Sequence, residues 1–286
     1  MSGAAGPAVV DPRPGPAAGP PTGPPSGRPP AGRPPVPWWA AVLAVLGVLV
    51  VVALVAGVVG AAVLASGTRT VRGPVEATGV RQVVVQGATG GVRVRTDGAA
   101  PGAVTGTSSL TTSWADGTVS ATQDGGVLTL TVECPSQAWP RRCDVGYDLL
   151  VDPDVDLDVD LAAGGLEAEG VAGDVTASVG AGGVSLRRAT SQTVDVAVST
   201  GGASLDFAAP PRSVTASSSV GGLVVTLPDD GTAYDVTSRV SVGEAQVGVT
   251  DTPGADRVLD LTASVGGVDV QYAGARQERQ ARHQAP

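Results

Sequence analysis

Leu161-Ala-Ala-Gly-Gly-Leu-Glu-Ala168 is the stretch on which the fold turns, because the chain writes it again five times. Ala177-Ser-Val-Gly-Ala-Gly-Gly-Val-Ser-Leu186 and Ala197-Val-Ser-Thr-Gly-Gly-Ala-Ser-Leu205 follow it. Ser218-Ser-Val-Gly-Gly-Leu-Val-Val225, Arg239-Val-Ser-Val-Gly-Glu-Ala-Gln-Val247 and Ala263-Ser-Val-Gly-Gly-Val-Asp-Val270 complete the set. Aligned on Gly165, Gly183, Gly202, Gly222, Glu244 and Gly267, the intervals are 18, 19, 20, 22 and 23 residues. An earlier copy, Gly90-Gly91-Val92-Arg93-Val94, stands alone in the first half. A strand, a glycine turn, a second strand and a short return, repeated near twenty residues, predict stacked rungs that bury a common apolar column. The glycines supply positive φ at each corner, and Gly202 and Gly222 are the expected holders of it. Short strands at this spacing also suit a β-sandwich. A sandwich, however, has no reason to place one dipeptide at one corner six times. The expected fold is therefore all-β, a repetitive β-solenoid of β-helix type.

Working back from the repeats, Val83–Val85, Val92–Val94, Val104–Thr112, Val119–Thr122 and Val127–Val132 read as further short strands between Gly, Asp and Ser clusters. Ahead of them, Trp38 to Ala65 is an unbroken run of Trp, Ala, Val, Leu and Gly. As a helix it would extend roughly 42 Å, more than the ~30 Å hydrocarbon core. Trp38 and Trp39 sit at one end, where indoles favour the headgroups. A cleaved signal peptide is the competing reading, since Val63-Leu64-Ala65 resembles a cleavage site, but signal apolar regions are about half as long. Residues 1–37 hold 13 of the 23 prolines and have no apolar periodicity. Such a segment is expected to be disordered and rich in polyproline II; Pro21 and Pro24 form a P-x-x-P that composition alone can generate. The expected organisation is a tail at 1–37, a transmembrane helix at 38–66, a linker at 67–79, the β-domain at 80–273 and a disordered tail at 274–286.

Composition removes most catalytic classes. The 286 residues include 18 basic and 27 acidic side chains, a single His, and no Lys, Asn or Ile. Without Lys there is no P-loop lysine and no Schiff base, and one His in a polar tail makes no triad or His-rich metal site. A net charge of −9 argues against nucleic acid, whose binders carry a basic face. Arginine counts flanking the apolar run do not decide its orientation. The small +2 tail and the −11 remainder lean toward the C-terminal part facing outward. Cys134 and Cys143 add to that lean, because a disulfide between them would persist in an oxidising compartment. Closing that loop would contribute roughly 2.5–3 kcal/mol; the alternative is two unpaired thiols.

The order of segments Val145-Gly-Tyr-Asp-Leu-Leu-Val-Asp-Pro153, Val155-Asp-Leu-Asp-Val-Asp-Leu161 and Gly164–Asp174 resembles the bacterial "putative adhesin" domain family of unknown function. The resemblance runs from about Val80 to Tyr272. It implies a β-helix-like domain at the cell envelope, often behind one transmembrane helix, and it carries over no catalytic residue. Glu244 departs from the family's recurrent glycine.

Two features invite a chemical reading. Asp152, Asp154, Asp156, Asp158 and Asp160 alternate with apolar residues, so strand periodicity would place all five on one face, ~6.6 Å apart. Hard oxygen ligands suit Ca2+, yet that spacing is too wide for one ion; the other reading is a solvated face that discourages edge aggregation. Glu167 and Glu169 share a strand face, but a flat strand surface offers no cleft to separate their acidities. Trp139, between the cysteines, is the aromatic best placed for a sugar, or it packs that loop down. Ala53, Gly57 and Ala61 repeat at intervals suited to close helix approach, a spacing that such a composition produces readily. The sequence thus predicts a single-pass envelope protein with its N-terminus cytoplasmic and a non-enzymatic domain outside. That domain would bind, scaffold or sense envelope state through a protein or polymer partner, without cofactor. The alternative is a Ca2+- or glycan-binding surface domain.

Overall fold

The computed structural model describes residues 68–113, 117–134 and 142–274. The expected tails, the apolar run, Trp114 and Trp139 lie outside these residues, among which no helix is long and apolar enough to cross a membrane. Thirteen strands are present among them. They are β1 (Thr68–Ala77), β2 (Gln82–Arg95), β3 (Val104–Ser113), β4 (Thr118–Asp124), β5 (Val127–Glu133), β6 (Arg142–Val151) and β7 (Asp156–Glu169). The rest are β8 (Val175–Ala189), β9 (Thr193–Phe207), β10 (Ser213–Val220), β11 (Leu223–Leu227), β12 (Asp235–Val247) and β13 (Val258–Tyr272). Val83–Val85 and Val92–Val94 belong to one strand, and most of the stretch expected as a linker forms β1, paired antiparallel with β3 over its whole length.

The long strands lie parallel and in register. Leu128, Val83, Leu157, Val175, Val194, Val214 and Leu259 are successive partners down the stack. Beyond the glycine corner a second column runs Tyr147, Val92, Leu166, Val184, Ala203, Leu223 and Val268. All of these side chains are buried. Inward positions alternate on each side of the corner but change parity across it: Leu157, Val159 and Leu161 precede Leu166 and Ala168. Four residues make each corner, and that shift lets both arms of a bent strand face one core. A fully buried Val or Leu contributes ~1.5–3 kcal/mol, so the two columns hold the stack together.

The corner glycine with positive φ is the first of each pair, not the second. Gly164, Gly182, Gly201, Gly221 and Gly266 have φ between 125° and 146°, whereas Gly202 and Gly222 do not lie in that region. A Cβ on any of the five would be driven into the carbonyl oxygen of the corner glycine one rung back. Two constraints, backbone and neighbour, therefore coincide on the first position. Glu244 occupies the second position of its pair, and Gly243 keeps the positive φ at 134°; at that second position elsewhere a Cβ would meet the next rung's carbonyl oxygen at distances from 2.5 Å at Gly202 to 3.7 Å at Gly222.

Spatial order departs from chain order at both ends. The strand path runs β6–β2–β7–β8–β9–β10–β13, with β12 paired on β13, so the last strand in sequence is the penultimate rung in space. At the opposite end β5 and β6 form the two halves of one rung on β2. Antiparallel β3 and β1 extend from β6, and antiparallel β4 covers β5. Cys134 and Cys143 are disulfide-bonded between these halves, with Cα atoms 6.1 Å apart.

Candidate functional site

In-register stacking sets identical positions side by side, so a surface feature of one rung becomes a row. Ser109, Gly146, Gly91, Gly165 and Gly183 are successive partners just beyond the corner. With no side chains on the glycines, the outer surface dips along this row. Two residues further along each strand, Thr107, Asp148, Arg93, Glu167 and Ser185 form a second row of polar side chains. Together with Arg72 on β1 they bound an open groove of about 700 Å3 crossing six strands.

Two ion pairs lie along the groove. Arg93 reaches Glu167 at 3.1 Å, and Arg95 reaches Asp148 at 2.7 Å. Further along the same edge, Arg188 bonds Glu169 at 2.7 Å and lies 3.5 Å from Asp97. The side chains of the Arg93–Glu167 and Arg95–Asp148 pairs are about half exposed, so each pair is worth at most ~1 kcal/mol and yields readily to a competing ligand. Glu167 and Glu169 sit on one outward face, each held by a different arginine. The surface thus offers hydroxyls, guanidinium donors and carboxylate acceptors in regular rows over a backbone floor. It suits hydrogen bonding to an extended polar chain.

The aspartate series is divided by its turn. Asp152 and Asp154 precede β7: Asp152 accepts the Gly102 and Asp154 amides, and its own amide donates to Ala103. Only Asp156, Asp158 and Asp160 lie on the strand, so the five do not share a face. Asp156 caps the Asp174 amide at 2.8 Å, and Asp174 caps the Thr193 amide at 3.1 Å, one rung on. Asp158 and Asp160 have Thr176 and Ser178 as partners on β8 and Val84 and Gln86 on β2. No three His, Cys, Asp or Glu side chains converge as a metal site among the described residues.

Burial separates the tyrosines. Tyr147 and Tyr234 lie in the core, and neither hydroxyl has a hydrogen-bond partner among the described residues. Desolvation pushes both phenols up to about 12. Tyr272 instead donates to Thr232 and accepts from the Thr250 amide. Reading the sequence alone picked out Glu167 but not Arg72, Arg93, Ser109 or Asp148. The second glycine of each pair was the available signal, because its recurrence marks where side chains vanish from the outer face.

No protein-family model and no curated protein matches this chain. Among solved structures it is similar to a "putative cell adhesion protein" from Clostridium sporogenes, with a TM-score of 0.42, 10% identity, and 71% of this chain and 100% of that chain covered. It is also similar to a "putative adhesin" from Bacteroides fragilis, with a TM-score of 0.37, 10% identity, and coverage of 71% and 97%. A third, a "putative adhesin" from Parabacteroides distasonis, gives 0.31, 11%, 72% and 97%.

Proposed function

We propose that this chain is a single-pass, membrane-anchored envelope protein whose β-domain is a β-solenoid that binds an extended partner outside the cell without catalysis. The groove over Gly146, Gly91, Gly165 and Gly183 carries the reading. Its rows repeat at strand spacing, ~4.8 Å, which suits a polymer or peptide lying across the rungs. Support for the anchor comes from the apolar run Trp38–Ala65, and for the outward topology from the Cys134–Cys143 bond.

The partner is sought by photocrosslinking. Cells producing the full chain carry a photoreactive residue at Ser185 in the groove wall or, for comparison, at Thr215 on another rung. A discrete adduct at Ser185, weakened by Arg93→Ala, fits the reading; equal labelling at both positions contradicts it. Topology is tested separately with protease added to intact cells. The domain should be degraded and an N-terminal tag spared, and a protected domain would reverse the orientation.

A further inference from the structure

The two ends of the stack are finished differently. Antiparallel β1, β3 and β4 close one end, while β12 at the other pairs, among the described residues, only with β13. Stacked folds need a terminal unit that covers the last rung, and an uncovered edge strand templates further pairing. In β13 the inward residues Leu259, Leu261, Ala263, Val268 and Val270 are buried. Their partners on β12 are Val236, Ser238, Val240, Ala245 and Val247, and of these Ala245 and Val247 are exposed. Val242, beside the corner, is 63% exposed.

Backbone direction follows the same alternation. Asp235 donates its amide to Arg257, just before β13, and Gly248, just past β12, donates to Val270 of β13. Hence the intervening inward residues turn their N–H and C=O groups away from the stack. Asp251 takes the first of these, the Val236 amide, at 3.1 Å. Ser238, Val240, Ala245 and Val247 present the rest of the edge.

We infer that this edge is the contact by which two copies of the chain join end to end, β12 antiparallel to β12, about a two-fold axis through the Gly243 corner. The parity change at the corner makes the match. Inward positions stop at Val240 and resume at Ala245, so their midpoint lies between Val242 and Gly243. Rotation about that point sets Val240 opposite Ala245 of the second copy, and Ser238 opposite its Val247. Each of these two pairs then joins residues that point at the edge, as an antiparallel hydrogen-bonded pair requires. The same pairs join inward to inward, so the two apolar cores become continuous. Arg239 faces Gln246 of the second copy and lies diagonal to its Glu244, within reach of a long side chain. That contact occurs twice, and its charges are complementary. A straight strand could not do this: there, joining residues of opposite parity would set inward residues against outward ones.

The test uses the full chain carrying Val242→Cys, with Ala181→Cys as control. Ala181 holds the equivalent corner position four rungs away, through the partners Thr200, Val220 and Val265. A two-fold through the corner brings residue 242 of both copies together, so V242C should form a disulfide-linked dimer under mild oxidation and A181C should not. Arg239→Glu and Glu244→Arg should each lower the V242C dimer yield several-fold, and the pair combined should restore it. The rescue separates this contact from the bond Arg239 makes to Asp260 in its own chain, at 2.9 Å, which the combined variant still lacks. Equal crosslinking of V242C and A181C would overturn the inference, since a dimer held elsewhere does not discriminate between them. So would a V242C crosslink that arises only after removal of residues 275–286, because the chain's own end would then be the cover.

Discussion

At the residue scale, the two glycines of each corner carry different loads. Gly201 combines φ 125° with the Gly182 carbonyl where a Cβ would stand. Gly201→Ala should therefore destabilise by more than the ~1–2 kcal/mol left-handed penalty, read by urea denaturation. At Gly222 a Cβ would rest 3.7 Å from the Gly267 carbonyl, an ordinary contact, so Gly222→Ala should be mild. Equal losses in the two variants would refute the assignment. Glu244→Gly should cost up to ~1 kcal/mol, because it adds backbone freedom at a position with no left-handed demand. The buried tyrosines give a second handle. Their phenols are raised to about 12 in the fold, against 10.0 when solvated. The protonated form is thus favoured by folding, and its stability is complete below pH 10 and lost as pH rises from 10 toward 12. Melting temperature should fall across that window, and the combined Tyr147→Phe, Tyr234→Phe variant should fall less. Because neither hydroxyl is partnered, the Phe substitutions should not destabilise at neutral pH. An alkaline decline identical in wild type and variant would contradict this.

At the element scale, the split rung made by β5 and β6 is the part most dependent on a covalent tie. Its halves are separate strands that pair with the two arms of β2. The Cys134–Cys143 bond ties one half to the other. Replacing both cysteines by Ser should lower stability by about 2.5–3 kcal/mol on loop entropy. Hydrogen exchange should show the loss first in β5 and β6, with β9 and β13 little changed, since rungs communicate mainly with neighbours. Uniform loosening from β2 to β13 would be inconsistent with a rung-by-rung assembly.

Across the whole molecule, the interchange of the last two rungs sets a folding order. Among the described residues β12 has β13 as its only strand partner, although it precedes β13 in the chain. It must wait for residues synthesised after it, and a contact of that kind slows assembly. In refolding followed by pulsed hydrogen exchange, β12 amides should gain protection no earlier than those of β13. Earlier protection of β12 would mean that it docks first on β10 and is later displaced.

The sequence by itself determined the all-β class, the strands after Val80 and the repeated corners. These follow from local rules: period-two alternation selects inward side chains, and paired glycines mark where the chain turns. Tertiary structure alone decided which glycine of the pair combines positive φ with a carbonyl less than 2 Å from where a Cβ would stand. The answer depends on a carbonyl one rung away, and nothing within the dipeptide reveals it. Stacking likewise decided the rung order, since Val236 and Leu259 both suit the same apolar column and either strand could follow β10 by pattern. The aspartate series was legible as spacing but not as a surface. Pro153 and the Asp152 hydrogen bonds turn the chain before β7 begins, and periodicity has meaning only within one strand. The groove was the least legible feature. Its walls come from β1, β3, β6, β2, β7 and β8, and only parallel register brings residues as distant in sequence as Arg93 and Glu167 within 3.1 Å.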